Sequence, residues 1–143
     1  MYARPSLSFV QRWIEKVINQ IDLDQVRALY REASNRFARY YRSYVQTHTE
    51  EFDALAAEMY NVFTAIDLYY NDRDWTGVMD MVEAFDTFLV SQGYWTEALR
   101  YGRLAVEAAR CLFSDRPEEL SRGLGLVRFQ SSLATICVLQ GRH

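Results

Sequence analysis

The chain is predicted to be an all-α protein of about six helices, stacked in antiparallel hairpins. Three observations predict this class. Apolar residues recur at helical spacing along nearly the whole chain. Only 8 of the 143 residues are glycine or proline, which leaves few places for tight turns and favours long elements. No segment alternates apolar and polar residues between turn signals, so no strand is predicted.

The first two predicted helices span residues 5–21 and 24–47. Asp22, with Gln25 three residues later, resembles a capping box and marks the start of the second helix. On a helical wheel the second helix separates its apolar residues from its arginines, so one face is expected to be buried. That face comprises Val26, Leu29, Tyr30, Ala33, Phe37, Tyr40, Tyr41 and Tyr44.

Four further helices are predicted in the rest of the chain. They span residues 50–71, 75–91, 95–113 and 117–140. Thr49 is expected to cap the first of these and Asp74 the second, because short polar side chains satisfy free backbone N–H groups. Gly93 is placed as a C-terminal cap. The expected organisation is a helical pair at residues 1–48 and a repeat region at residues 49–143, together forming one continuous structural domain.

Short patterns recur in the second region. Asp-Trp-Thr-Gly-Val at residues 74–78 and Tyr-Trp-Thr-Glu-Ala at residues 94–98 both open a helix. Ser-Gln-Gly at residues 91–93 and Leu-Gln-Gly at residues 139–141 both close one. Such repetition is typical of an α-solenoid, in which similar hairpins stack side by side. A row of small residues along the helix that begins at Trp95 would let a neighbouring helix approach closely.

The stretch from Gly93 to Leu99, with Ala105 further on, resembles the turn and second helix of a tetratricopeptide repeat. Gly102 departs from the family, which usually has a large residue there. Ala134 matches the small residue of a following first helix. The recurring patterns, the row of small residues and the resemblance together predict packing roles for Trp75, Gly93, Trp95, Ala98, Gly102, Ala105, Ala109 and Ala134.

A narrower resemblance involves Glu58, Asn61 and Ala65, followed by Asp74-Trp75 and the residues 92–95. These resemble the C-terminal helical-repeat arm of signal-transduction NTPases with a nucleotide-binding regulatory domain, an arm also found in related bacterial transcriptional regulators. The resemblance covers about residues 50–141. It implies a non-enzymatic protein-interaction module, the regulatory or sensor arm of a larger signalling or transcription regulator. The alternative is a stand-alone helical adaptor that forms a homodimer.

Charge is distributed unevenly along the chain. Residues 1–48 carry a net charge of +4, residues 49–97 of −10 and residues 98–143 of +3. The predicted partner-binding residues are Arg27, Arg31, Arg36, Arg39, Arg42, Tyr69 and Tyr70. The arginines form either a solvated face or a docking face for an acidic surface, in another domain or in a second copy. Tyrosines are frequent at binding hot spots.

No catalytic, metal or cofactor site is predicted, so the chain is not expected to be an enzyme. Lys16 is the only lysine and follows no glycine-rich loop, which excludes a phosphate-binding loop. His48 and His143 do not have the ligand spacing of a zinc site. An enzyme with an unrecognised site remains a rival interpretation, for which a closed polar pocket with shifted carboxylates would be the sign.

The expected partner is a protein or peptide, or domains of a longer chain to which this one belongs; a homodimer is an alternative. The negative net charge of the whole chain argues against a nucleic-acid partner. The arginine-rich second helix nevertheless keeps a regulator that contacts nucleic acid as an alternative. No apolar run approaches the length of a membrane span. No signal peptide opens the chain, and the two cysteines lie in apolar helical patterns, which predicts a cytoplasmic protein.

Overall fold

The computed structural model describes residues 7–114 and residue 118. Every regular element among these residues is a helix, which confirms the all-α class. The helices are α1 (Leu7–Gln20), α2 (Leu23–Thr47), α3 (Phe52–Ala57), α4 (Met59–Asn71), α5 (Trp75–Ser91) and α6 (Trp95–Leu112). The helix expected at residues 117–140, the packing role of Ala134 and the Leu-Gln-Gly motif lie outside the described residues.

The chain divides into two compact units, residues 1–34 and residues 35–143. In the first unit the structure describes α1 and the beginning of α2. No side chain from residue 8 to residue 33 is buried. The Asp22 carboxylate accepts hydrogen bonds from the backbone N–H groups of Asp24, at 3.0 Å, and Gln25, at 3.1 Å. This cap confirms the predicted start of α2, since the first N–H groups of a helix have no partner within it.

The core of the second unit lies among the end of α2 and helices α3 to α6. Helix α5 packs against both of its chain neighbours, α4 and α6. The ring of Phe63 in α4 stacks on Tyr101 of α6 at 4.7 Å and meets Phe85 of α5 edge-on at 5.7 Å. The largest fully buried side chains are Val45, Leu55, Val62, Ile66, Val78, Met81, Phe85, Phe88, Leu89 and Tyr101.

The face that helix α2 presents to this core overlaps the expected one only in part. Of the residues assigned to the buried face, Val26, Leu29, Tyr30 and Tyr40 are exposed. The buried residues of α2 are Ala38, Tyr41 and Val45, of which only Tyr41 belongs to the expected face. Phe37 and Tyr44 of that face are partly buried against the core. A helical wheel identifies the most apolar side of a helix, but the packing of neighbouring helices decides which side is buried.

The expected continuous helix over residues 50–71 is wrong, because the chain breaks at Glu58 between α3 and α4. No glycine or proline marks the break. The Glu58 Oε2 atom accepts hydrogen bonds from the Tyr41 hydroxyl and from Asn61 Nδ2, both at 2.7 Å. The expected cap at Thr49 is also wrong: Glu51 precedes α3 and makes no side-chain capping bond.

Two turns of the same type connect α4 to α5 and α5 to α6. At the end of α5, the Gly93 N–H donates to Val90 O and the Tyr94 N–H donates to Leu89 O, at 3.2 and 2.8 Å. This is a Schellman motif, in which a residue with positive φ ends the helix. Gly93 has φ +80°, so the predicted glycine cap is confirmed.

The corresponding residue after α4 is not a glycine. Arg73 has φ +57°, the only positive φ of a non-glycine residue in the described chain. Its N–H donates to Tyr70 O at 3.0 Å, and the Asp74 N–H donates to Tyr69 O at 2.9 Å. Both turns therefore use the same pair of bonds, 20 residues apart.

The small residues of α6 that form a row in the sequence are all buried: Ala98, Gly102, Ala105 and Ala109. Trp75 and Trp95, which begin α5 and α6, are partly buried and pack against the core. The Asp74 side chain accepts a hydrogen bond from the Gly77 N–H at 3.0 Å, which confirms its predicted role as the cap of α5.

Candidate functional site

The second unit contains a polar cavity of about 380 Å³ beside α2. It is lined by Asn35, Ala38, Arg39, Arg42, Tyr69, Asp72 and Asp74. The first four share one face of α2, since helical residues three, four and seven positions apart line up. The other three come from the end of α4 and the turn that follows it. The cavity therefore has a basic wall on a helix and an acidic wall on a turn.

Arg42 is held in place by the fold. Its guanidinium forms an ion pair with Asp80 of α5, and its Cζ atom lies 5.8 Å from the centroid of the Tyr69 ring. Partial burial opposes the charge of Arg42. The bond to Asp80 and the proximity of Tyr69 outweigh that opposition and raise the Arg42 pKa. Arg42 thus remains charged and joins α2 to α5.

Arg39 is the more available cation of the cavity. Its side chain is exposed and makes no ion pair with any described residue. The Nε atom donates a long hydrogen bond, 3.4 Å, to the Asn35 carbonyl oxygen one turn earlier in the helix. This bond leaves the terminal amino groups of the guanidinium available to bind an anionic group.

Tyr69 contributes a hydroxyl whose hydrogen bonding is incomplete. The residue is only 6% exposed, and its hydroxyl has no hydrogen-bond partner of ordinary geometry among the described residues. Arg42 interacts with the Tyr69 side chain, which helps to raise the Arg42 pKa, but no hydrogen bond of ordinary geometry joins the two. Leaving a buried polar group unpaired costs about 1–3 kcal/mol. A ligand atom that paired with this hydroxyl would remove that cost.

Gly77 sets the position of the Tyr69 ring. A Cβ atom at Gly77 would collide with that ring, so the close contact between α4 and the first turn of α5 requires a glycine. Asp74 caps the same turn through the Gly77 N–H. The Asp-Trp-Thr-Gly motif therefore shapes one wall of the cavity, a role that its sequence alone did not reveal.

The cavity brings together three of the predicted partner-binding residues, Arg39, Arg42 and Tyr69. The fold places Tyr70 elsewhere: its hydroxyl donates to Glu107 of α6 at 2.9 Å, and its ring meets Trp75 edge-on. Arg36 is exposed in the second unit, whereas Arg27 and Arg31 are exposed in the first.

Sequence reasoning missed Asn35 and Asp72 as cavity residues. Asn35 lies four and seven positions before Arg39 and Arg42, so its spacing on α2 was a usable signal. Asp72 had no such signal. It reaches the cavity because the turn at Arg73 returns the chain towards α2, which depends on the tertiary fold.

A second depression, of about 520 Å³, lies at the start of α3 and is lined by Glu50, Glu51, Phe52, Asp53 and Ala54. Across residues 7–114 and 118, no three histidine, cysteine or acidic side chains come together as metal ligands would. Among the same residues, no helix combines the length and apolar character required to span a bilayer.

Comparisons of the chain with protein-family models, with curated proteins and with solved structures give no match. The resemblance to tetratricopeptide repeats therefore depends on the motif residues of the chain and not on any relative.

Proposed function

We propose that this chain is a non-enzymatic protein-interaction module, a tetratricopeptide-like helical scaffold that binds an acidic segment of a protein partner in the cavity beside α2. The observation that carries the proposal is the pairing of an available cation, Arg39, with a buried and unpaired hydroxyl on Tyr69 in one polar cavity. Arg42, held by Asp80, adds positive charge to the same wall.

A peptide matches both walls of the cavity. An aspartate or glutamate side chain offers acceptor oxygens to Arg39 and to the Tyr69 hydroxyl. Backbone N–H groups of the same peptide offer donors to Asp72 and Asp74 on the opposite wall. The volume of about 380 Å³ lies near the lower end of ligand pockets, which suits one or two side chains of a bound segment.

The repeat-like architecture is supported by the two turns that flank α5. They share the same bonding pattern 20 residues apart, and the buried small residues of α6 permit close helix packing. In such a scaffold each helical hairpin presents residues from fixed positions, so binding follows from shape and charge. The partner is a separate protein or another domain of a larger signalling or transcription regulator, as the family resemblance implies.

Selection from a display library of short random peptides tests the proposal. Peptides retained by the wild-type protein should be enriched in aspartate and glutamate. The Arg39→Glu variant should lose these peptides or select basic ones, with affinity for the wild-type peptides lowered about tenfold or more, because a charge-assisted hydrogen bond contributes about 1.5–3 kcal/mol.

Arg103→Glu is the matched control, since Arg103 is an exposed arginine of α6 that does not line the cavity. It makes the same change in net charge and should retain the wild-type peptides. Wild-type selection without acidic enrichment, or equal losses in the two variants, would contradict the proposal. Helical circular dichroism of each variant verifies that the fold is retained.

A further inference from the structure

The large apolar side chains that the structure describes in the first unit are exposed. Eleven large apolar residues between positions 9 and 30 are each 36% to 70% exposed. Trp13, at 60%, and Phe9, at 59%, are the largest of those in α1. At about 100° per residue, the apolar residues of α1 occupy one half of its circumference, and all the polar residues except Gln20 occupy the other. Helix α1 is therefore shaped to be buried on one side.

The exposed area is large enough for a stable interface. At roughly 100 Å² for each side chain, the eleven residues present on the order of 1,000 Å² of apolar surface. A stable protein–protein interface buries about 800 Å² on each partner, and the largest apolar patch of a typical monomer is about 300–600 Å². Short helices are also marginal in water unless an apolar face is packed, so these segments need a partner surface.

The charges of this segment indicate what that partner is. Residues 7–34 contain four basic and four acidic side chains, so the segment has no net charge. A second copy therefore meets no net repulsion, whereas an anionic membrane surface gains no attraction from a polar face that lacks excess positive charge. The partner surface must be apolar and equally extensive, and the same segment of another copy meets both conditions.

We propose that residues 8–33 of two copies of this chain pack together, so that their four helical segments form the core of a homodimer. The contact is isologous, since each copy contributes the same apolar surface. Four amphipathic segments that share one core are the arrangement of a four-helix bundle. The dimer is independent of the proposed peptide site, because the cavity belongs to the second unit.

Sedimentation equilibrium of the full chain over a range of concentrations tests the proposal. The wild-type protein should have about twice the 16.8 kDa mass of one chain. The variant Ile14→Glu with Val17→Glu places two charges in the middle of the apolar face of α1. It should raise the dissociation constant more than about a hundredfold, because four charged groups would enter the interface of the dimer.

Gln11→Glu with Asn19→Glu is the matched control, since it adds the same two charges to the polar half of α1 and should leave the dimer intact. Trp13 supplies a second measurement. The tryptophan fluorescence of the protein, to which Trp75 and Trp95 also contribute, should shift to longer wavelength as Trp13 becomes exposed on dilution of the wild type. It should already be shifted in the Ile14→Glu, Val17→Glu variant at every concentration.

Three results would overturn the proposal. A wild-type chain that remains monomeric would exclude the dimer. A dimer that survives Ile14→Glu with Val17→Glu would place the interface elsewhere. A monomer whose α1 binds vesicles of phosphatidylcholine and phosphatidylserine, and loses that binding in the same variant, would identify a membrane as the occupant. In each case, peptide selection by the second unit would still test the proposed function separately.

Discussion

Tyr69 combines a structural role with a proposed binding role, and the two have opposite requirements. Its ring packs on Gly77 and helps to define the cavity, whereas its hydroxyl is buried without a hydrogen bond among the described residues. An unpaired polar atom lowers stability, and sites that bind ligands often contain such groups. Tyr69 is therefore the residue at which stability and binding can be separated experimentally.

We predict that Tyr69→Phe stabilises the unliganded protein by about 1 kcal/mol, because it removes an unpaired buried hydroxyl and keeps the ring. The same substitution should weaken binding of the selected acidic peptides several-fold. Urea denaturation and peptide titration provide the two measurements. A loss of stability would instead mean that the hydroxyl is hydrogen-bonded in the folded protein.

The titration of Tyr101 predicts how the stability of the protein depends on pH. The pKa of Tyr101 is raised to about 12, mainly by burial and also by the nearby Asp67 carboxylate, while Arg100 opposes the shift. An unfolded chain ionises tyrosine near pH 10. Between about pH 10 and 12 the unfolded state therefore loses this proton while the folded state retains it, so the contribution to stability, complete below that range, decreases as the pH rises through it.

The expected result is a decline in the free energy of unfolding of the wild-type protein above about pH 10, and a shallower decline in Tyr101→Phe, which has no phenol to ionise at that position. Urea denaturation at a series of pH values measures both. Tyr41, whose pKa burial and Glu58 also raise to about 12, titrates in both proteins, so the difference between them isolates Tyr101. Parallel profiles would contradict the assignment.

Among the connections between helices, the two turns that flank α5 differ in one respect. Both are Schellman motifs, but the residue with positive φ is Arg73 in one and Gly93 in the other. A non-glycine residue in this conformation is strained by about 1–2 kcal/mol, because its Cβ approaches the neighbouring carbonyl oxygen. Glycine avoids that strain at the cost of greater freedom in the unfolded chain.

Arg73→Gly should accordingly stabilise the protein by about 0.5–1 kcal/mol. This is the strain relieved in the folded state minus the cost of the greater conformational entropy that glycine gives the unfolded chain. Gly93→Ala is the converse control: space is open around Gly93, so the only cost is the strained φ, and we expect a loss of about 1 kcal/mol. Thermal and chemical denaturation measure both changes. Equal signs for the two substitutions would refute the argument.

The kink between α3 and α4 illustrates a different kind of connection. The Glu58 carboxylate accepts bonds from Asn61 and Tyr41 at the break, and these hydrogen bonds hold its pKa below the ordinary value. Tyr41 belongs to α2, so the break coincides with a contact between helices distant in sequence. For that reason neither composition nor periodicity predicted it.

At the level of the full chain, the exposed apolar face and the polar cavity belong to different units of the protein. The apolar face of residues 8–33 is proposed to join two copies, and the polar cavity of the second unit is proposed to bind a peptide. A homodimer would then carry two peptide sites, which increases the apparent affinity for a partner that carries two acidic segments.

The all-α class and several of the helix ends were predictable from neighbouring residues alone. The Asp22 and Asp74 caps, the Gly93 turn and the absence of strands from the described residues depend on bonds between residues a few positions apart. Local hydrogen bonds and helical periodicity form in the same way wherever the segment lies in the fold, so sequence patterns report them directly.

The buried face of α2, the break at Glu58 and the gathering of Arg39, Tyr69 and Asp72 around one cavity were not predictable in this way. Each depends on which helix lies next to which, and at what distance. Packing between helices distant in sequence decides which face of a helix is buried. A small residue such as Gly77 matters for that packing only where a neighbouring side chain lies against it.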